Sequence, residues 1–288
     1  MKFNNSMLMN SLKKSRSFKL VKSKIDDVMY STINIFTIDC SVKNKELIAH
    51  FTHHKCGTTW FNNSLNKISK RFGLNYQYCD QENLESNTDI WLQWHSEVNF
   101  NKLRPYVGSH MIRDPRDITV SAYFYHLWCD EEWCNIPKKE YNNMSYKKYL
   151  NSLSQEQGIL FEMKNNLEKG HTTGSVIEDI SRWNYSNPQI IELKYEDVIL
   201  NPEDWFVRIF KKYGFNEKET KKALKIVEKY SFKGRTGRKL GVEDKKSHMR
   251  KGTPGDWKNH FTEDHKDEFI KQYGDILIKL GYEKDKNW

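Results

Sequence analysis

Along the chain, the period of apolar and polar positions changes repeatedly, first that of a buried strand and then that of an amphipathic helix. The stretch "ELIAHFT" at residues 46–52 reads as a buried strand. Phe61, Leu65, Ile68 and Phe72 follow at helical spacing, one apolar face of a helix that Gly73 closes. A second strand is predicted at "YVGSHMI" (106–112), after which Asp114 and Pro115 offer an N-cap and a first-turn proline to a helix running to about Trp128. "QIIELKY" (189–195) predicts a third strand. Asn201-Pro202 then caps a helix that buries Phe206, Ile209, Phe210 and Tyr213 and stops at Gly214. Near the C-terminus, "DEFIKQYGDILIKLGY" sets Phe269, Tyr273, Leu277 and Leu280 on one helical stripe. Strands that each lead into a helix predict an α/β fold, a central parallel β-sheet flanked by helices on both faces. Ligands of such sheets bind at the C-terminal ends of the strands, where the polar loops 53–59 and 113–117 fall. No repeat, low-complexity tract or linker divides the chain. A single domain is expected over 46–288, behind a variable basic leader at 1–45.

Composition narrows the class without choosing a function. The 288 residues are 37% hydrophobic and 14% aromatic, enough for a sizeable core beneath a very polar surface. A net charge of +9 favours an anionic partner, whether nucleic acid, a membrane surface or a phosphorylated small molecule. Five scattered cysteines, Cys40, Cys56, Cys79, Cys129 and Cys134, give neither a disulfide framework nor a zinc-binding CxxC pair, so a reducing compartment is the simpler expectation. No apolar run approaches the roughly 20 residues that span a bilayer, and the N-terminus lacks the apolar stretch of a secretory signal.

Three polar segments carry candidate chemistry. In "KCGTTW" (55–60), Gly57 permits a tight turn and Thr58 and Thr59 open a helix whose free N–H groups suit an anion. Lys55 can reach the same anion, and Trp60 offers a flat face for stacking on a base; an ordinary strand–helix turn is the competing reading. In "RDPRDITVS" (113–121), Arg113 and Ser121 can hold phosphate oxygens, against the alternative of an Arg113–Asp117 pair that tidies the helix start. In "RKGTPGDWKNHFT" (250–262), Arg250 and Lys251 precede the flexible Gly252, whereas Asp256 reads as an acidic helix cap and Trp257 and Phe261 as anchors. One ligand with two separated anionic ends accounts for three such sites better than coincidence does.

These segments resemble the cytosolic-type sulfotransferases, which take a sulfuryl group from 3′-phosphoadenosine 5′-phosphosulfate (PAPS) and release 3′-phosphoadenosine 5′-phosphate (PAP). "KCGTTW" is similar to their 5′-phosphosulfate loop, "RDPRDITVS" to their 3′-phosphate strand and helix, and "RKGTPGDWKNHFT" to their C-terminal PAPS motif, in the same order, over roughly residues 46–282. The resemblance implies a P-loop-like α/β fold. It also implies that Lys55, Cys56, Gly57, Thr58 and Thr59 form the 5′-phosphosulfate loop, with Lys55 catalytic at the bridging oxygen. Arg113, Ser121, Arg250, Lys251 and Gly252 would hold the 3′-phosphate, and Trp60, Tyr195 and Phe232 would surround the adenine; plain core packing competes at Phe232. The family's catalytic histidine falls on His95 in "LQWHSEV", where Gln93 and Trp94 replace the usual lysine and threonine; Glu97 is the fallback base. His53 and His54 either line an acceptor pocket or merely end a strand.

The implied reaction passes a sulfuryl group to a hydroxyl or amine of a small-molecule, lipid or carbohydrate acceptor, in the cytoplasm, with no metal, no nucleic acid and no stable membrane insertion. Its rivals are a P-loop kinase, which the absent GK[ST] disfavours, and a non-catalytic nucleic-acid binder, which predicts one interleaved basic and aromatic stripe. Trp91, Trp94, Phe124, Tyr125, Trp128 and Trp133 are candidates for an aromatic acceptor pocket. The family's dimer motif is degenerate around Lys258 and Thr262, so association by that route is doubtful and the oligomeric state stays open.

Overall fold

The strand in "ELIAHFT" forms the middle of a five-stranded sheet. A computed structural model describes residues 40–288, and the expected leader over residues 1–39 lies outside them. Strand β1 (Leu47–Thr52) is buried along its whole length, as a central parallel strand with both faces covered must be. Helix α1 (Thr58–Phe72) follows it and ends at Gly73 in the left-handed conformation, as its spacing predicted. Strands β2 (Tyr76–Tyr78) and β3 (Ile90–Gln93) come next, then β4 (Tyr106–Ile112), helix α2 (Pro115–His126) and a small antiparallel pair, β5 (Pro137–Lys138) and β6 (Met144–Ser145). Strand β7 (Ile190–Lys194) completes the large sheet, whose order is β2-β3-β1-β4-β7, and every neighbouring pair in it is parallel. Chain connections diverge on either side of β1 and β4. The crevice this opens lies beyond their C-terminal ends, where the loops after both strands emerge.

Most elements start and stop where local chemistry dictates. Asp114 caps α2 by accepting from the Arg116 N–H, with Pro115 in the first turn. Other expectations need correcting. The sheet has five strands, not only the three that were legible, because β2 and β3 are short runs of three and four residues. Asn201 does precede the helix Pro202–Lys212, but its side chain makes no capping bond. The C-terminal stripe is two helices, Glu263–Tyr273 and Ile276–Lys279. Gly274 lies between them and weakens helix continuation. Residues 40–45, read as leader, are packed on the domain: Cys40 and Val42 are buried, and the Ser41 N–H donates to Glu219 at 2.7 Å. Cys129 and Cys134, expected to be unpaired, form a disulfide, so only Cys40, Cys56 and Cys79 are free. The end of α2 and the helical turn Glu132–Asn135 bring them together. Among the described residues no helix is long and apolar enough to cross a membrane.

Asp117 does more than its expected role. It pairs with Arg113 as expected, at 3.9 Å, an ion-pair distance too long for a hydrogen bond. The carboxylate also accepts from the backbone N–H groups of Gly255 (2.7 Å) and Trp257 (2.9 Å), fastening the 250–262 segment to α2. Asp117→Ala is therefore expected to cost on the order of 3 kcal/mol, since two charge-assisted hydrogen bonds to buried amides are lost. Chemical denaturation checks the stability. A midpoint unchanged from the wild type would show that this fastening contributes nothing.

Candidate functional site

One cavity of about 430 Å³ opens at the crevice, and residues from all three sequence motifs line it. The loop after β1 enters first. Gly57 takes φ 87°, and a Cβ on it would approach the Tyr195 ring to 3.3 Å, so glycine lets the loop turn beneath that ring. Among the described residues the N–H groups of Gly57, Thr58 and Thr59 donate to no backbone carbonyl. They form an anion cradle at the start of a helix of 15 residues. The Cys56 side chain is buried behind the loop and does not line the cavity, which leaves only its backbone to serve there.

Lys55 adopts φ 62°, an uncommon conformation for a non-glycine residue, and carries its Nζ to 3.8 Å above the Tyr125 ring. Burial, followed by the nearby Arg113 and Arg250, lowers its ammonium from the ordinary lysine range to about 7, although Glu131 and Glu162 oppose the shift. An anion at the loop would reverse the repulsion.

The 3′-phosphate candidates stand beside it. Arg113 donates to the Lys55 carbonyl at 3.2 Å and packs over the Tyr195 ring at 4.7 Å, while its Nε is buried without a partner. Such an orphan donor on a buried guanidinium is costly unless a ligand meets it. Ser121 faces the cavity from the second turn of α2. Arg250 and Lys251 both pair with Asp256, and Arg250 also with Glu243. Burial opposes ionisation of Asp256, but bonds from His260, Lys251, Asn259 and Arg250 outweigh it and hold the carboxyl far below its usual range. Asp256 is thus the counter-ion of two cations that line the cavity, not a helix cap, since Gly255 occupies the cap position of its short turn. Gly252, at φ 68°, allows Phe232 to pack against its backbone. Phe232 is buried and also lines the cavity, so both readings of it hold. Trp60 does likewise, its Nε1 fixed on the Val227 carbonyl at 3.2 Å.

At the other end the sequence reading was incomplete. His95 lines the cavity beside Trp94 and Tyr78; burial, then the neighbouring His171, lowers it to about 4. Glu97 is exposed and pairs with Lys169 at 2.5 Å, and it does not line the cavity. His53 points inward, meeting His110 at 2.9 Å, whereas His54 lines the cavity, so the pair splits between core and site. Of the six aromatic candidates only Trp94 lines the cavity; Trp91 is core, and Tyr125 lies beneath Lys55. Glu131, His171 and His248 also line it, and none was singled out from sequence. His248 accepts from or donates to Thr59 Oγ1 at 2.8 Å across 189 residues of chain, a contact with no local signal. Among the described residues no group of three or more His, Cys, Asp or Glu side chains could hold a metal ion.

Sulfotransferase 2A6 of Mus musculus is 31% identical over 183 residues, 59% of this chain and 55% of that protein. Sulfotransferase 2A1 of Homo sapiens is 25% identical over 182 residues, 59% of this chain and 56% of its own length. The matched stretch thus spans about half the length of these curated relatives. The fold is similar to that of mouse sulfotransferase SULT7A1 complexed with PAP, at a TM-score of 0.54 and 16% identity, covering 82% of this chain and 85% of that one. It is also similar to retinol dehydratase in complex with androsterone and inactive cofactor PAP, at a TM-score of 0.51 and 16% identity, covering 80% of each chain. The family model described as "Sulfotransferase domain" matches residues 109–281, more than half of the chain, and the protein belongs to that family.

Proposed function

We propose that the protein transfers a sulfuryl group from PAPS to a hydroxyl or amine acceptor and releases PAP. One observation carries the reading: Lys55, the free amides of 57–59, Arg113 with its orphaned Nε, and the Arg250–Lys251 pair converge on a single cavity. The amides would hold the 5′-phosphosulfate. Arg113, Ser121, Arg250, Lys251 and the backbone of Gly252 would hold the 3′-phosphate, with Trp60, Tyr195 and Phe232 around the adenine. Sulfuryl transfer, like phosphoryl transfer, runs through a loose in-line transition state, so positioning and electrostatic stabilisation supply most of the rate. As the sulfur–oxygen bond to the 5′-phosphate breaks, charge grows on the departing oxygen, and the Lys55 ammonium neutralises it. The acceptor would lie towards Tyr78 and Trp94, with His95, His54 and His171 within the same end of the cavity. That arrangement suits a small molecule with a flat apolar body and one hydroxyl; androsterone, seen in the retinol dehydratase structure, is a hydroxyl compound of that general kind. A cytoplasmic location belongs to this reading through the family resemblance alone, because the Cys129–Cys134 disulfide removes the argument from unpaired cysteines.

Thermal shift with PAP against ATP tests the proposal, followed by labelled PAPS with an acceptor panel. PAP should raise the melting temperature by several degrees and ATP much less, as expected when a ligand at about 100 times its dissociation constant adds about 2.7 kcal/mol. Stabilisation by ATP and none by PAP would refute it. A pH dependence follows from Lys55. In the free protein its ammonium titrates near 7, and a bound anion raises that value. Above pH 7 binding must therefore be accompanied by proton uptake, and PAP affinity should fall up to about tenfold per pH unit. Calorimetry at pH 7 and 8.5 reads it directly. Equal affinity at both would place Lys55 away from the phosphate.

A further inference from the structure

The positive charge of the domain is concentrated in one stretch. Residues 217–246 hold eleven lysines and arginines against five acidic residues, a balance of +6, whereas the other described residues hold twenty-nine against thirty. The stretch begins as the helix Glu217–Tyr230, which buries Glu219, Ala223 and Val227. Its outer side exposes Lys218, Lys222, Lys225 and Lys229 at intervals of four, three and four, one stripe along the helix. Among the described residues none of these four pairs with a carboxylate. Two acidic residues of the stretch are engaged elsewhere: Glu219 accepts from the N–H groups of Ser41 and Asn216, and Glu243 pairs with Arg250. None of the four lysines lines the cavity, so direct contact with the anion sites does not account for them.

The same stretch then presents apolar side chains to solvent. The short helix Phe232–Thr236 folds back on the end of the first, with Gly234 packed on the carbonyls of Glu228 and Lys229. Beyond it, a turn with Gly241 at φ 89° leaves Leu240 and Val242 41% and 51% exposed. Lys239 precedes this pair, and Lys245 and Lys246 follow it, all three exposed. The turn is firmly held. Arg238 donates to the carbonyls of Val242 and Arg250 at 2.7 Å each, and the Gly241 N–H donates to the Lys251 carbonyl at 2.9 Å. A surface already fixed in this way loses little conformational freedom when a partner meets it.

We propose that this face docks the protein on the surface of an anionic phospholipid bilayer, its lysines against the headgroups and Leu240 and Val242 at the acyl boundary. Peripheral binding of this kind combines the two features found together here, aliphatic area to bury and attraction to anionic lipid. A nucleic acid would use the charge but leave the aliphatic pair in water. It would also lack a stacking platform, since Phe232 is buried and Tyr230 half-buried. The turn leads directly into His248, Met249 and Arg250 of the cavity wall, so docking sets the cavity beside the bilayer, where apolar hydroxyl compounds concentrate. Docking of this kind does not depend on the sulfuryl transfer proposed above.

Vesicle sedimentation with the full chain tests the proposal, comparing phosphatidylcholine alone with phosphatidylcholine containing about one-third phosphatidylserine. At about 0.1 M salt the protein should partition at least tenfold more strongly onto the anionic vesicles, and about 1 M salt should release it. Lys218→Gln, Lys222→Gln, Lys225→Gln and Lys229→Gln together should reduce that partition at least tenfold. Glutamine keeps the helix propensity of lysine, and circular dichroism with the melting temperature checks that the variant folds. Val242→Ser should weaken partition about threefold or more, through lost aliphatic burial. Equal partition onto neutral and anionic vesicles overturns the proposal, as does a lysine variant or a Val242→Ser protein that binds like the wild type. A single-stranded oligonucleotide bound at about 0.1 M salt by a protein that ignores the anionic vesicles would give the face to nucleic acid instead.

Discussion

Lys55→Ala should lower turnover by about 10²–10³-fold with every acceptor, the range found when one preorganised electrostatic donor is removed from a reacting centre. The residue leaves no substitute behind. Arg113 is engaged with the Lys55 carbonyl and the Tyr195 ring, while Arg250 and Lys251 are tied to Asp256. PAP affinity should fall much less, because the amides of 57–59 and the 3′-phosphate cations remain. Steady-state kinetics separates the two effects: a large fall in kcat with a modest change in PAPS KM marks an interaction made chiefly in the transition state. Loss of PAP binding with kcat preserved would make Lys55 a binding residue only.

Gly252→Val has the second large expected effect, through backbone and packing together. The position holds φ 68°, and a Cβ there would meet the Phe232 ring at 2.6 and 2.9 Å. Phe232 is buried and cannot retreat freely, so the chain carrying Arg250 and Lys251 must move. A left-handed non-glycine residue and an overpacked contact together cost on the order of 3 kcal/mol. That corresponds to a fall in melting temperature of roughly 6–12 °C for a domain of this size. PAP affinity should drop at least tenfold as the two cations are displaced. A variant that melts and binds like the wild type would show that the loop tolerates the side chain and does not position the phosphate site.

Such effects were legible in part from the chain alone, and what was legible was local. A strand followed by an anion loop and a helix occupies a few consecutive residues, so "FTHHKCGTTW" and "RDPRDITVS" announced both their elements and their chemistry. Strands β2 and β3 escaped because runs of three and four residues carry no readable period. Asp117 and Asp256 were assigned helix-end roles from sequence neighbours, while their decisive partners are Gly255, Trp257 and two cations of the third motif. The buried contacts of His126 with Glu162 (2.8 Å) and with His54 (3.3 Å) were the least accessible. His126 lay beyond the quoted 113–121 segment and His54 stood beside Lys55, but Glu162 meets His126 across 36 residues and His126 meets His54 across 72. Only the tertiary fold places these groups in one line.

The central claim is that the cavity is built for a nucleotide bearing both a 5′- and a 3′-phosphate. Calorimetric titration with PAP and with 5′-AMP, which differ only by the 3′-phosphate, tests it most directly. If Arg113, Ser121, Arg250, Lys251 and the Gly252 backbone hold that group, PAP should bind at least 100-fold more tightly, about 2.7 kcal/mol at 25 °C. Equal affinities for the two nucleotides would contradict the account.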